Sequence, residues 1–294
     1  MKKFLKYKLR DTIRILLGKK GYTYLRFIIV HRYIPSFKKP RSFSEKIIYR
    51  KFNTTPSKFS KYVDKFTVRE YIKNTIGENY LIPILKVKEK ISPSDFIDLP
   101  NEFVIKTSNG GGGENILIVD DKSKFDILEI CNKFNKYITS HMGKAIDEPF
   151  YDIERPHIIF EKLIKHHDGS YPSDYKIHIF NSQQSQSIFI QVDSDRFGNH
   201  KRSIYNEELL IQSFSIQPKY DEVGDKYIFP DNIAELIKLA KSLASQFKYV
   251  RVDMYNVDGK IYFGELTFCH GSGWEPISPK KADFMLGQLW DEYN

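Results

Sequence analysis

The feature that most constrains this chain is RVDMYNVDGKIYFGELTF, Arg251 to Phe268. Two apolar-rich runs read as antiparallel strands joined by a turn at Asp258-Gly259, and each run carries one carboxylate, Asp253 or Glu265. A carboxylate inside a sheet is costly without a counter-charge, so each acid needs a neighbouring Arg or Lys, or a bound cation. Arg251 and Lys260 are the residues at hand for the first solution, and a metal ion is the second. The residues of the hairpin alone leave both open.

The rest of the chain reads as further sheet and helix elements around that hairpin. With 294 residues, 41% hydrophobic and 28% charged, there is enough apolar material for one large domain or two lobes. From Glu102 the sequence runs EFVIKT, a strand; NGGGGEN, a glycine run; ILIVD, a second strand; and KFDILEICNKFNKYI, with helical spacing. HIIFEKLI (157–164) predicts a buried strand, and DYKIHIF (174–180) with SIFIQVD (187–193) a further hairpin. Apolar residues recur at helical spacing from 231 to 247, with Asp231 as the expected N-cap. Proline-containing stretches near 35–40, 93–100 and 218–230 read as connections, the middle one separating two lobes.

Charge is unevenly distributed. The net charge is +9, but residues 1–50 hold 15 Lys and Arg against 2 acids, which leaves 31 against 35 in the remainder. A basic front suits either solvent or a polyanion such as the inner membrane surface or a lipid-linked glycan. No nucleic acid is expected, because no recognition helix or RNA-binding signature is present. The most apolar front segment, YLRFIIVHRYI (24–34), is interrupted by charge and too short to span a bilayer. No uninterrupted apolar leader precedes it, and the two cysteines, Cys131 and Cys269, form no CxxC or Cys/His cluster. A cytoplasmic protein is the expectation, with a peripheral place at the inner membrane if the basic front meets a polyanion and none if it is a solvated surface.

Four glycines, Gly110 to Gly113, make either a loose hairpin tip or a loop whose amides reach an anion closely. The run is not a Walker A loop, since no Gly-Lys-Ser/Thr follows. Lys106 on the preceding strand and Asp64-Lys65 upstream add cations, and the hairpin acids add anions, which is the pairing a magnesium nucleotide needs. On KPRSFSEKI, YVDKFTVREYI, LPNEFVIKTSNGGGG, HIIFEKLI, SDYKIHIF, DRFGNHKR and RVDMYNVDGKIYFGELTF, taken in order, the chain resembles the ATP-grasp enzymes. Within them it is similar to the TupA-like group, associated with teichuronopeptide and other surface-glycan synthesis.

The resemblance implies an α/β (α+β) ATP-grasp fold, two lobes with ATP between them, preceded by a basic helical N-terminal region. It implies a basic region and first lobe over 1–98 and an ATP-grasp domain over 99–294. That domain divides into a glycine-loop lobe (99–160) and a metal-binding core lobe (161–294). It implies that Lys65 and Lys106 contact ATP phosphates or adenine under a loop formed by Gly110, Gly111, Gly112 and Gly113. Glu161, Lys162 and Leu163 would meet the adenine edge, and Asp174 the ribose, with Asp168 close enough to compete. Lys176, Arg196 and Arg202 would face phosphates or substrate, and Arg251 would support an acyl phosphate. Asp253 and Glu265 would be the magnesium ligands; Thr267 stands where relatives carry Asn and is a poorer ligand.

The implied activity is an ATP- and Mg2+-dependent carboxylate–amine ligase working through an acyl phosphate. Its partners would be a carboxylate-bearing sugar or amino acid and an amine acceptor, with a capsule, O-antigen or wall polymer as the product. Two alternatives share the residues: an ATP-grasp kinase acting on a glycan hydroxyl, and a non-catalytic peripheral glycan- or membrane-binding protein. Cys269 and His270 read as bystanders or substrate contacts, and His166-His167 as solvated imidazoles.

Overall fold

Alternating apolar and polar positions build two separate antiparallel sheets. The computed structural model describes residues 2–111, 113, 115–194, 198–224 and 227–293. The first sheet has four strands, β1 (Ile84–Lys88), β2 (Phe103–Thr107), β3 (Ile116–Val119) and β4 (Ile158–Lys162), in the order β1-β4-β2-β3. Helix α5 (Ile127–Tyr137), capped by the Asp126 carboxylate on the Leu128 and Glu129 amides, contributes Ile130 and Phe134 to a core with Phe103, Ile105 and Phe160. Phe96 and Leu99 belong to this same core. The 93–100 stretch is therefore a turn within the glycine-loop lobe, not the link between lobes that its prolines suggested.

The second sheet holds β5 (Asp174–Asn181), β6 (Gln186–Ser194), β7 (Lys201–Asn206), β9 (Tyr249–Val257) and β10 (Lys260–Thr267), ordered β10-β9-β5-β6-β7. A short pair, β8 (Ser215–Ile216) with β11 (Ile277–Ser278), lies apart from it. Ile177, Ile190, Val252 and Leu266 occupy one face and join a larger core with α7 (Ile233–Ala244). Asn232, not Asp231, stands at the cap position of α7. Its amide is used elsewhere, donating to the Gly259 carbonyl and accepting from Asn256, so it ties the helix start to the β9–β10 turn. That turn is at Asp258-Gly259, both with positive φ (51° and 86°), as a two-residue hairpin of this twist requires.

Helices α2 (Phe43–Asn53), α3 (Ser60–Val63), α4 (Val68–Thr75), α6 (Met142–Ile146) and α8 (Lys280–Gln288) complete the fold with the leading helix α1 (Lys2–His31). α1 is broken at Gly18 (φ 65°, ψ 170°). Its second half docks through buried Phe27, through His31 against the Gly273 carbonyl (2.9 Å), and through the Arg26 guanidinium stacked 4.0 Å from the Trp274 ring. Arg14 and Lys19, one on each side of the break, both reach Asp147, at 2.5 and 3.0 Å. Among the described residues, no helix is long and apolar enough to cross a membrane.

α2 positions the acid-bearing hairpin. A capping box between Ser42 and Glu45 fixes its start, and its Arg50, 1% exposed, reaches across the molecule. One guanidinium nitrogen donates to both the Tyr249 and Phe268 carbonyls (3.0 Å each), at the start of β9 and just past the end of β10. Another donates to Glu292 at 2.8 Å, and the group lies 4.1 Å from the Trp290 ring. Replacing Arg50 with Met leaves two buried carbonyls without donors and should cost about 3 kcal/mol in urea unfolding. Arg50→Lys, which lacks the second branch that reaches Glu292 and the planar group over Trp290, should recover less than half of that loss.

Candidate functional site

The two hairpin acids meet because of a register shift. Phe263 lies opposite Met254, but Glu265 lies opposite Asp253, so Gly264 is an extra residue in β10. Without that bulge Glu265 would face Val252 and point into the apolar core, since a one-residue slip exchanges the faces of a strand. Glycine is needed at the bulge: a Cβ at 264 would sit 3.0 Å from the Asp253 carbonyl oxygen and 3.1 Å from the Tyr255 ring.

The register then lays a ladder of polar side chains across one face of the sheet. Glu265, Asp253, Lys176 and Gln191 follow one another across β10, β9, β5 and β6, with Thr267, Arg251 and His178 in the adjacent row. Asp174, Asp193 and Arg202 continue the ladder on β5, β6 and β7.

These charges neutralise one another in pairs. Arg251 grips Asp253 with two nitrogens (2.6 and 2.8 Å), donates to Glu265 (2.9 Å) and points a third nitrogen at His270 Nδ1 (2.8 Å). Lys176 Nζ lies 3.3 Å from both Asp174 and Asp253. Arg202 bonds Asp193 (2.6 Å) and Glu275 (2.9 Å). Lys260 takes no part and lies 5.0 Å from the Tyr262 ring, so the hairpin acids have Arg251 and Lys176 as their cations and not Lys260.

Burial and pairing pull the acids in opposite directions. Burial raises the Asp253 carboxyl above its ordinary range despite the Arg251 and Lys176 charges. Burial also pushes on Glu265, but the cations Lys65, Arg251 and Lys176 prevail and hold it at about 2. Burial lowers both His178 and His270, which keeps these imidazoles neutral beside Arg251.

The glycine-loop lobe presents its own charges toward this face. Lys106 on β2 pairs with Glu161 on β4 at 2.6 Å, and Arg69 approaches the same carboxylate at 3.6 Å. The Lys65 ammonium donates to the Gly110 carbonyl, and its amide to the Ser108 carbonyl (2.9 Å). Burial lowers its pKa, and Glu265 is the strongest of the groups that raise it, so Lys65 stands between the two lobes' charges. Gly110 and Gly113 have φ of 79° and 82°, the left-handed region that glycine adopts freely. The 142–152 segment packs beneath: Met142 lies against Gly110, and a Cβ on Gly111 would meet the Tyr151 hydroxyl at 3.7 Å. In that segment, burial raises Glu148 to about 7 against the pull of Lys51.

Most of the expected site residues thus fall into two facing groups. Asp253, Glu265, Thr267, Arg251, Lys176, Arg202 and Asp174 lie on the core sheet, Lys106, Gly110, Gly111, Gly113 and Glu161 on the other lobe, and Lys65, whose neighbours Val63 and Val68 pack into the core-sheet cluster, reaches across to Gly110. Lys162 ends β4 and Leu163 follows it. Arg196 and Gly112 lie outside the described residues. Asp168 is exposed and caps its own loop through the Ser170 amide, whereas Asp174 is buried beside Lys176.

His167 is a solvated imidazole as expected, its side chain 93% exposed, but it and the less exposed His166 both contact Asp258 at 2.7 Å and latch the interlobe loop to the β9–β10 turn. His270 is no bystander either: it is buried between Arg251 and Glu275. Asp193, Glu275 and His178 went unnoticed in the sequence, where only the period-two alternation of β5 and β6 marks two of them.

A metal held by protein alone does not fit this donor set, because among the described residues no three His, Cys, Asp or Glu converge. Two neighbouring carboxylates do fit magnesium bound mainly through phosphate oxygens, since that ion takes one or two carboxylates and leaves the remaining positions to phosphate and water. The Thr267 hydroxyl donates to Glu265 at 3.1 Å and so orients that carboxylate. A cavity of about 770 Å³ between Tyr175, Tyr227 and Phe229 lies away from the acids.

A family model described as TupA-like ATPgrasp matches residues 45–291. Among solved structures, the chain is similar to an ADP complex of N5-carboxyaminoimidazole ribonucleotide synthetase, at 17% identity over 71% of this chain and 45% of that one, with a TM-score of 0.46. It is also similar to N5-carboxyaminoimidazole synthetase from Staphylococcus aureus complexed with ADP, at 14% identity over 70% and 44%, TM-score 0.43. A third is D-alanine-D-alanine ligase from Helicobacter pylori, at 14% identity over 86% and 70%, TM-score 0.45. The chain spans less than half the length of the first two. No curated protein gives a significant match.

The pairing of Glu265 predicts a pH signature. Its folded pKa of about 2 lies below the ordinary 4.5, so its contribution to stability is present above 4.5 and is lost as pH falls through 2. Glu265→Gln should therefore unfold at lower urea than the parent near neutral pH. The gap should narrow from about pH 4.5 downward and close near pH 2. A gap that is constant with pH would mean that the carboxylate charge plays no part.

Proposed function

The chain belongs to the TupA-like ATP-grasp family, and on that premise we propose that it is an ATP-dependent carboxylate–amine ligase. The observation that carries this reading is the bulge at Gly264, which turns Glu265 beside Asp253 on the face shared with Arg251 and Lys176. The bulge keeps Leu266 in the apolar core while turning Glu265 out of it, and so sets two carboxylates side by side on the charged face.

In this proposal ATP, with Mg2+ held at Asp253 and Glu265, supplies the phosphoryl group that activates a substrate carboxylate. Lys65 and Lys106 take the nucleotide phosphates, and the glycine loop lies over them with its amides inward. Glu161 to Leu163 border the adenine and Asp174 the ribose. Arg251, Lys176 and Arg202 hold the anionic acyl phosphate while an amine displaces phosphate and forms the amide. Because Arg251 keeps a two-nitrogen grip on Asp253, it can release Glu265 to a cation without losing its own counter-charge.

The carboxylate is a sugar acid or an amino acid, and the product a decorated surface glycan. Residues 1–50 meet an anionic membrane or a lipid-linked glycan. Mass spectrometry of products formed from ATP, magnesium, panels of uronic and amino acids and an amine decides between this ligase and phosphorylation of a glycan hydroxyl. An amide product is expected, and a phosphorylated sugar would overturn the proposal.

Two substitution series follow from the same reading. Asp253→Ala and Glu265→Ala should each lower magnesium-dependent ADP release about 100-fold while the protein stays folded. Near-parental turnover in both would remove the metal assignment. Gly111→Pro stiffens the loop at a position with room for a side chain, so the fold and the Lys106 strand should be kept while ADP release falls about tenfold. Nucleotide protection of the loop from proteolysis should be seen in the parent and be absent in this variant.

A further inference from the structure

We propose that α1 is a bilayer-docking element that inserts apolar side chains into an anionic membrane, deepening the membrane reading of residues 1–50 on which it rests. α1 is fastened to the protein by one side only: Phe27 is buried, Arg26 stacks on Trp274, and Arg14 and Lys19 are tied to Asp147. Away from these contacts, several large apolar side chains are uncovered. Ile15 is 82% exposed, Leu16 77% and Ile29 58%, with Leu17, Tyr24 and Leu25 also turned to solvent. Such residues on a helix already docked elsewhere are not satisfying the core, and they leave large apolar groups uncovered on both sides of the Gly18 break.

The break at Gly18 sets the geometry. Asp147 holds the two helical halves through one cation each, so Ile15, Leu16 and Leu17 project from a fixed corner, not from a fraying end. Exposed Lys20 and Arg32 bracket Tyr24, Leu25 and Ile29 along the second half. An apolar stripe bracketed by cations suits the headgroup–acyl boundary, where the bases meet phosphate and the apolar groups leave water. The exposed cations Lys20, Arg32, Lys38, Lys39 and Arg41 make a second copy of this chain a poor occupant, because like surfaces would repel. A polyanion without an apolar layer would pair with the cations and leave the isoleucines and leucines in water. An anionic phospholipid bilayer satisfies both.

The test is flotation of the full chain with phosphatidylcholine vesicles, with and without phosphatidylglycerol, at low and high salt. The parent should float with phosphatidylglycerol vesicles only, and a fraction should remain bound at high salt, because apolar contact is not screened. Ile15→Asp with Leu16→Asp should reduce partitioning about tenfold or more at either salt. Ile29→Asp, a single change at a second exposed position, should act in the same direction. Vesicle-free ADP release and circular dichroism should be unchanged in all three proteins, which separates a docking defect from a folding defect and from any failure of the ligase reading. Parent-like flotation of the double variant, or release of all the parent by salt, would leave electrostatic attraction alone and overturn the insertion. No flotation of the parent with anionic vesicles would overturn the membrane reading as well.

Discussion

The Arg251 guanidinium is the group on which the arrangement of the site depends. It is buried, and a buried charge persists only where its partners are fixed. Its partners come from three places: Asp253 two residues along the same strand, Glu265 on the neighbouring strand and His270 in the loop beyond it. Each is delivered by a different device, namely strand alternation, a bulge, and a loop pinned to α1 through Gly273. Because pairing is so complete, this sheet face can be buried and charged at once.

The division of labour between the lobes follows from where apolar residues could be spent. Each sheet has its own core, and Phe103 and Phe160 in one share no cluster with Val252 and Leu266 in the other. Near the site the lobes are joined by polar contacts, the Lys65 amide and ammonium on the Ser108 and Gly110 carbonyls, beside the Phe66 ring on His157 at 4.6 Å. Polar contacts of this kind exchange readily with water or a ligand, whereas buried apolar contacts do not.

Much of this was legible because sequence patterns report local periodicity. The strands from Glu102 onward, the glycine-tipped hairpin, the Asp258-Gly259 turn and the helical spacing after residue 231 all have periods of two or 3.6 residues. The bulge also left a trace, since Phe263 and Leu266 both face the core although they are three apart, which strict alternation forbids. What had no local signature was pairing at a distance. Arg50 and Phe268 are 218 positions apart, Lys46 and Trp290 are 244 apart, and nothing in the flanking residues names the partner. The cap of α7 was misassigned for a related reason: Asp231 and Asn232 are equally good caps in isolation, and Asn256 and Gly259 on the hairpin turn decided how the Asn232 side chain is used.

The family match begins at residue 45, yet the packing does not respect that limit. Phe27 and Tyr33 share a small core with Ile48 of α2, flanked by Trp274 and Phe284. The Tyr33 hydroxyl also bonds to the Ser42 cap and to Asp283 in α8. The leading segment is therefore not a detachable tag that could be grafted between related proteins. Its apolar face is cut to fit Ile48, Trp274 and Phe284, and an exchange of the front between chains would be tolerated only if those three positions travelled with it.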